Sequence, residues 1–193
     1  MKGCRSLEPA EIKAIALSLS MRDRAIFVLG IRSGFRIAEL LSLNVGDVLV
    51  NGSMLGAVRV RRSEMKGKTE SRTIPIHSEA KAVLREYLAT RQGAEPSAPL
   101  FLSAGTGGRL PGRLDYSAYR KALKKVISRA RIRDAHLVST HSCRKTFAKK
   151  FYEACGKDLY LTQQALGHSH VGITVKYLQK DGEMVSNLIL KMK

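Results

Sequence analysis

Ser33-Gly34-Phe35-Arg36-Ile37-Ala38-Glu39-Leu40-Leu41-Ser42-Leu43 reads as the junction of two helices. Upstream, residues 22–33 have helical apolar spacing, and Ser20 with Asp23 resembles a capping box with Asp in the Glu position. Gly34 suits the left-handed residue that closes a helix. Downstream, residues 37–43 predict a short, largely apolar helix. Arg36 falls between the two, after a glycine turn and at a helix start. An arginine there can be held firmly and aimed at an anion, and Glu39, one turn on, can hold it or cap the turn. Taken alone, an ordinary surface arginine at a helix start fits the same pattern.

Working outward, residues 8–18 predict a short amphipathic helix, with Pro9 in its first turn and Ile12, Ile15, Ala16 and Leu19 on one face. After the junction the pattern changes to strands at 47–50, 55–62 and 72–77, with turn signals at Asn51-Gly52 and around Lys66-Gly67-Lys68. Strict alternation in Val58-Arg59-Val60-Arg61 predicts a small antiparallel sheet with one basic, exposed side. Helical pattern returns over 78–91. A Pro/Gly/Ser-rich stretch, 93–112, interrupts it, with Leu100-Phe101-Leu102 as an apolar anchor. Helices are then expected over 115–131, 141–155, 158–166 and 170–178, and an amphipathic one over 183–192. The fold class is α+β, mainly α-helical, with a small antiparallel β-sheet.

The chain has 193 residues, with 34 Lys plus Arg against 16 Asp plus Glu, a net charge of +18. Basic residues are spread along the chain. A folded domain this basic repels itself unless it meets a polyanion, and nucleic acid leads over an anionic membrane surface or ribosomal RNA. No apolar run approaches the length of a membrane span. The first residues lack the apolar stretch of a secretion signal, and the expected location is the cytoplasm. Cys4, Cys143 and Cys155 lack metal-ligand spacing and are expected as reduced thiols.

Two further segments carry candidate chemistry. In Thr140-His141-Ser142-Cys143-Arg144, Thr140 is a plausible N-cap, and His141 and Arg144 share one helix face near the N-terminus. Free N–H groups, a guanidinium fork and an imidazole make a good phosphate site. A solvated histidine beside a surface arginine is the plainer alternative. In Leu166-Gly167-His168-Ser169, Gly167 ends a helix, Ser169 starts the next, and Tyr177 lies near the far end of that second helix. A core tyrosine and a turn histidine satisfy the same pattern. Residues 163–175 also read as a helix-turn-helix, which is DNA binding without chemistry.

Taken together these segments resemble the catalytic domain of the tyrosine recombinase (phage integrase) family. Residues 34–43 with Asp47 resemble its first-arginine box. Lys66-Gly67-Lys68 before Arg72-Thr73-Ile74-Pro75-Ile76 resembles its β-hairpin lysine. His141 to Ala148 resembles its His-x-x-Arg box, and Leu166-Gly167-His168-Ser169 with Tyr177 its final box. The resemblance spans residues 7–193. It implies the tyrosine recombinase catalytic-domain fold, with residues 1–193 as one catalytic domain. The family's separate N-terminal DNA-clamping domain is not represented, so a fragment of a longer enzyme is expected.

The implied activity is site-specific cutting and rejoining of double-stranded DNA through a 3′-phosphotyrosine, without metal, cofactor or ATP. Tyr177 would be the nucleophile, and Arg36 and Arg144 would clamp the scissile phosphate. His141 would assist proton transfer, and His168 would bond a phosphate oxygen. Lys66 would be the general acid, with Lys68 as its competitor. Glu39 and Asp47 are expected to be structural, and Cys143 buried. The helix over 183–192 has two readings, packing on its own domain or, as the resemblance implies, docking in a neighbouring copy when a tetramer assembles on DNA; docking is the expected one. A type IB topoisomerase-like activity and a non-catalytic helix-turn-helix regulator are the alternatives.

Overall fold

Helix α2 (Met21–Ser33) is the axis of the first of two compact units, and it is buried along almost its whole length, with Ala25 to Ile31 inaccessible. The computed structural model describes residues 4–60, 72–105 and 110–178. The chain divides after Phe147.

In the first unit, α1 (Pro9–Ser18) begins where the Glu8 N–H donates to the Glu11 carboxylate at 2.9 Å, and Pro9 takes the first turn. Ser20 caps α2 by accepting from the Asp23 N–H at 3.3 Å. α3 (Ile37–Ser42) follows at once, then a 3-10 turn, Val45–Asp47.

Among the described residues, two two-stranded antiparallel sheets stand where one small antiparallel sheet was expected. β1 (Leu49–Val50) pairs with β2 (Ser53–Met54), and β3 (Ala57–Val60) with β4 (Arg72–Pro75), both antiparallel. The Asn51-Gly52 link has positive φ at both positions, 48° and 73°, as a tight hairpin turn of this type requires. Val58 and Val60 face the core at 1% exposure each while Arg59 faces out, as the alternation predicts.

α4 (Ser78–Ala89) packs on α2, and α5 (Tyr116–Arg129) starts at Asp115, which accepts from the Ala118 N–H at 3.0 Å. Between them, Leu100 and Phe101 are fully buried, so the apolar anchor in the loop-rich stretch is real. Arginines fasten this stretch. Arg91 donates to the Pro99 and Leu100 carbonyls, and Arg113 to those of Leu41 and Leu43, the orphan acceptors at the end of α3.

α6 (Thr140–Ala154) runs across the division between the units. In the second unit, α7 (Leu159–Leu166) is capped by Asp158, which accepts from the Leu161 N–H at 2.9 Å, and closed by Gly167. α8 (Val171–Leu178) packs against α7. It starts two residues later than a start at Ser169 would give. The Ile173 N–H bonds back to the His170 carbonyl, so the first turn closes there. No helix among the described residues is long and apolar enough to cross a membrane.

Candidate active site

The arginine turn is built from the end of α2 outward. Gly34 has φ 63°, and its N–H bonds the Gly30 carbonyl at 3.0 Å. A Cβ at Gly34 would lie 2.3 Å from the Phe147 ring, so backbone conformation and space both demand glycine. Ser33 donates its hydroxyl to the Leu29 carbonyl and accepts from the Phe35 N–H, locking the exit from the helix. Phe35 is buried.

Arg36 then adopts extended backbone at the start of α3. Glu39 grips it twice. One carboxylate oxygen accepts the Arg36 N–H at 2.7 Å and the other accepts its guanidinium at 3.0 Å. The Glu39 side chain is 2% exposed and that of Arg36 38%, so the pair is anchored inside with the guanidinium reaching outward. Asp47 accepts the Asn44 N–H at 2.8 Å and braces the turn after α3. Both acids therefore act as supports.

The start of α6 differs from expectation by one residue. Ser139, not Thr140, is its cap. The Ser139 hydroxyl accepts the His141 N–H at 3.3 Å, and the Ser139 N–H donates to the Ser142 hydroxyl at 3.1 Å. Two serines that satisfy each other displace Thr140 into the first turn. His141 is exposed, whereas Arg144 is 1% exposed and donates to the Gly34 carbonyl at 2.5 Å. That bond brings the second arginine to the turn that carries the first. Partial desolvation, then the charges of Arg144 and Arg36, hold the His141 imidazole below its ordinary range. Cys143 is buried at 6% exposure, and burial pushes its thiol up to about 12, so it is not a reactive cysteine.

A third arginine, expected only as part of the lysine-hairpin segment and not among the site residues, joins this group. Arg72, first in β4, is 8% exposed, donates to the Ser33 carbonyl at 2.9 Å, and lies over the Phe35 ring at 4.8 Å. The signal was present in the strand alternation. Arg72, Ile74 and Ile76 share a face, and Arg72 is the register partner of buried Val60. Three guanidiniums and the Glu39 carboxylate around one turn leave positive charge suited to a phosphate.

In the second unit, Gly167 turns the chain at φ 59°. The His168 N–H bonds the Gln163 carbonyl, and the Gln163 amide returns a bond to the His168 carbonyl. The buried His168 ring meets the fully buried Thr174 hydroxyl through Nδ1 at 2.9 Å. Its centroid lies 5.1 Å from that of the half-buried Tyr177 ring, tilted by 52°. Thr174 and Tyr177 are three apart and share one face of α8. Arg36, His141 and Arg144 are thus gathered in the first unit, and His168 with Tyr177 in the second. Lys66, Lys68 and the helix expected over 183–192 lie outside the described residues.

A family model described as "Phage integrase family" matches residues 6–184. The chain belongs to the phage integrase family. The tyrosine recombinase XerC of Pelobacter propionicus is 36% identical over 165 residues, which is 81% of this chain and 47% of that protein. The chain therefore spans about half the length of the curated relatives it matches. In fold it is similar to the crystal structure of XerA recombinase, with TM-score 0.75 at 24% identity over 98% of this chain and 64% of that one. It is also similar to the catalytic domain of bacteriophage HP1 integrase, with TM-score 0.58 at 18% identity over 97% and 95% of the two chains. This phage integrase family member thus has the expected α+β catalytic-domain fold. Its arginine turn, His-x-x-Arg helix and His168–Tyr177 pair are the segments that carried the resemblance in the sequence.

Proposed function

We propose that this chain is the catalytic part of a site-specific DNA recombinase that cuts and rejoins strands through a 3′-phosphotyrosine. The observation that carries this reading is the bond from Arg144 to the Gly34 carbonyl, which places the second guanidinium on the turn that ends in Arg36. Family membership and the net charge of +18 support double-stranded DNA as the partner.

Arg36 and Arg144 bind the non-bridging oxygens of the scissile phosphate and neutralise the charge that attack adds. The Tyr177 oxygen forms a bond to phosphorus while the bond to the 5′-oxygen breaks. The tyrosine proton passes by way of His141, whose pKa is lowered by partial desolvation and by the charges of Arg144 and Arg36, which favours the neutral form that can accept it. Lys66, or Lys68 in its place, delivers a proton to the departing 5′-oxygen. His168 bonds a phosphate oxygen. Rejoining reverses these steps with a 5′-hydroxyl as nucleophile, and the adduct conserves the bond energy. The pairing of His168 with Tyr177 favours this reading of α7–α8 over a helix-turn-helix regulator. The segment over 183–192 docks on a neighbouring copy in a tetramer on DNA, and the enzyme works in the cytoplasm.

The test is covalent trapping. The chain is mixed with supercoiled plasmid carrying the junctions of the DNA element that encodes it, then denatured. Wild type gives a protein–DNA adduct at a 3′ end and Tyr177→Phe gives none. An adduct that persists in Tyr177→Phe overturns the assignment. Arg144→Lys keeps the charge but loses the fork, and cleavage falls about 100- to 1,000-fold.

A further inference from the structure

Ser33 is the last residue of α2, so its carbonyl is one of the unsatisfied acceptors at the negative end of the helix. Arg72 takes it, from 39 residues away. The next carbonyl, that of Gly34, is taken by Arg144 from 110 residues away. Two consecutive carbonyls are thus read by two guanidiniums from different elements, and Arg36 stands two residues further on. Arg72 adds a second hold, since its guanidinium lies over the ring of Phe35, the residue immediately before Arg36.

This arrangement is costly for stability alone. The position is 8% exposed and opposite Val60, where strand alternation favours an apolar side chain. Burial, then repulsion from Arg144, lowers the Arg72 pKa to about 9. Glu39 offsets this in part, and Arg36 adds to the lowering. A buried cation set against two like charges is expensive for a residue that only fills space.

We infer that Arg72 is a positioning residue for Arg36: from β4 it clamps the Ser33 carbonyl and the Phe35 ring and so fixes where the Arg36 guanidinium points. This rests on the recombinase reading of Arg36. Arg72 is too buried to touch DNA and acts through the turn.

Arg72→Met and Arg72→Lys are assayed for plasmid binding, for the rate of adduct formation and for thermal unfolding, beside wild type and Tyr177→Phe. DNA affinity stays within about twofold of wild type, because phosphate contacts across the surface dominate it. Adduct formation falls about 30-fold in both, since lysine lacks the flat fork that stacks and donates together. The melting temperature of Arg72→Met does not fall. In an Arg36→Lys background, adding Arg72→Met lowers the rate by less than about threefold, because the group it positions is already gone. A wild-type rate in either single variant overturns the inference, as do losses that multiply in the double variant. A readout independent of cleavage uses the nitrogen-15 Nε–H resonance of Arg36, identified by its loss in Arg36→Lys. It shifts and broadens in Arg72→Met and Arg72→Lys, and an unchanged resonance overturns the inference even if the chain cleaves no DNA. Absence of any wild-type adduct counts against the recombinase reading alone.

Discussion

Helices α2 and α8 both lead into proposed site residues, but they are covered very differently. Every residue of α2 from Ala25 to Ile31 is buried, and the turn after it is held by a glycine, a serine, a glutamate and two arginines from distant parts of the chain. In α8 only Thr174 is buried, while Val171, Ile173 and Val175 are 46%, 38% and 38% exposed. The proposed phosphate-binding residues therefore stand on the core of their unit, where geometry is over-determined. The tyrosine stands on a helix fastened on one face. For the proposed reaction this division is useful. Phosphate charge is best met by groups that need no reorganisation, whereas the nucleophile must approach, bond and be released.

Breaking the first half of this contrast gives the largest effect. Gly34→Ala forces a left-handed alanine and drives its methyl into Phe147, for a loss of about 3 kcal/mol in chemical unfolding. Gly156→Ala has a similar positive φ of 67° with nothing within 4 Å, and costs about 1 kcal/mol. Equal losses would show that the turn is not tightly packed. In the second unit, Thr174→Val keeps the shape and removes the hydroxyl from His168, at about 1–2 kcal/mol. Cleavage falls with it if the ring orients on Tyr177, and an unchanged cleavage rate would detach His168 from the reaction.

The smallest effect is on pH dependence. In the folded chain the His141 pKa is held below its ordinary value of 6.5 by partial desolvation, Arg144 and Arg36. As pH falls below that value the unfolded chain takes up the proton first, so stability drops until the folded pKa is passed. His141→Gln removes this contribution and loses less stability than wild type on acidification through that window. Identical pH profiles in urea titrations would place His141 away from the arginines.

Much of this was legible in residue order. Ser20 and Gly34 mark the two ends of α2 and Gly167 the end of α7, by a side-chain cap and by left-handed backbone that act within a few residues, and each does so in the structure. Arg36, His141 and Arg144 were legible as phosphate chemistry because each follows or begins such a turn. What escaped lay in a choice between near-equal neighbours or in contacts across the chain. Ser139 rather than Thr140 caps α6 because Ser142 reciprocates, a choice between adjacent hydroxyls that spacing does not decide. Arg72 was legible only as part of the lysine-hairpin segment, because a basic residue in a strand of so basic a chain does not mark itself as a site residue. Its place on the inner face of β4, opposite Val60, is what puts it inside.

The most direct test of the central claim is to identify the residue joined to DNA. Plasmid labelled at its phosphates is cleaved, the adduct is digested with protease, and the labelled peptide is sequenced. The account predicts a single phosphotyrosine at Tyr177, linked to a 3′ end. A label on the exposed Tyr160 or on a serine, or a 5′ linkage, would contradict it.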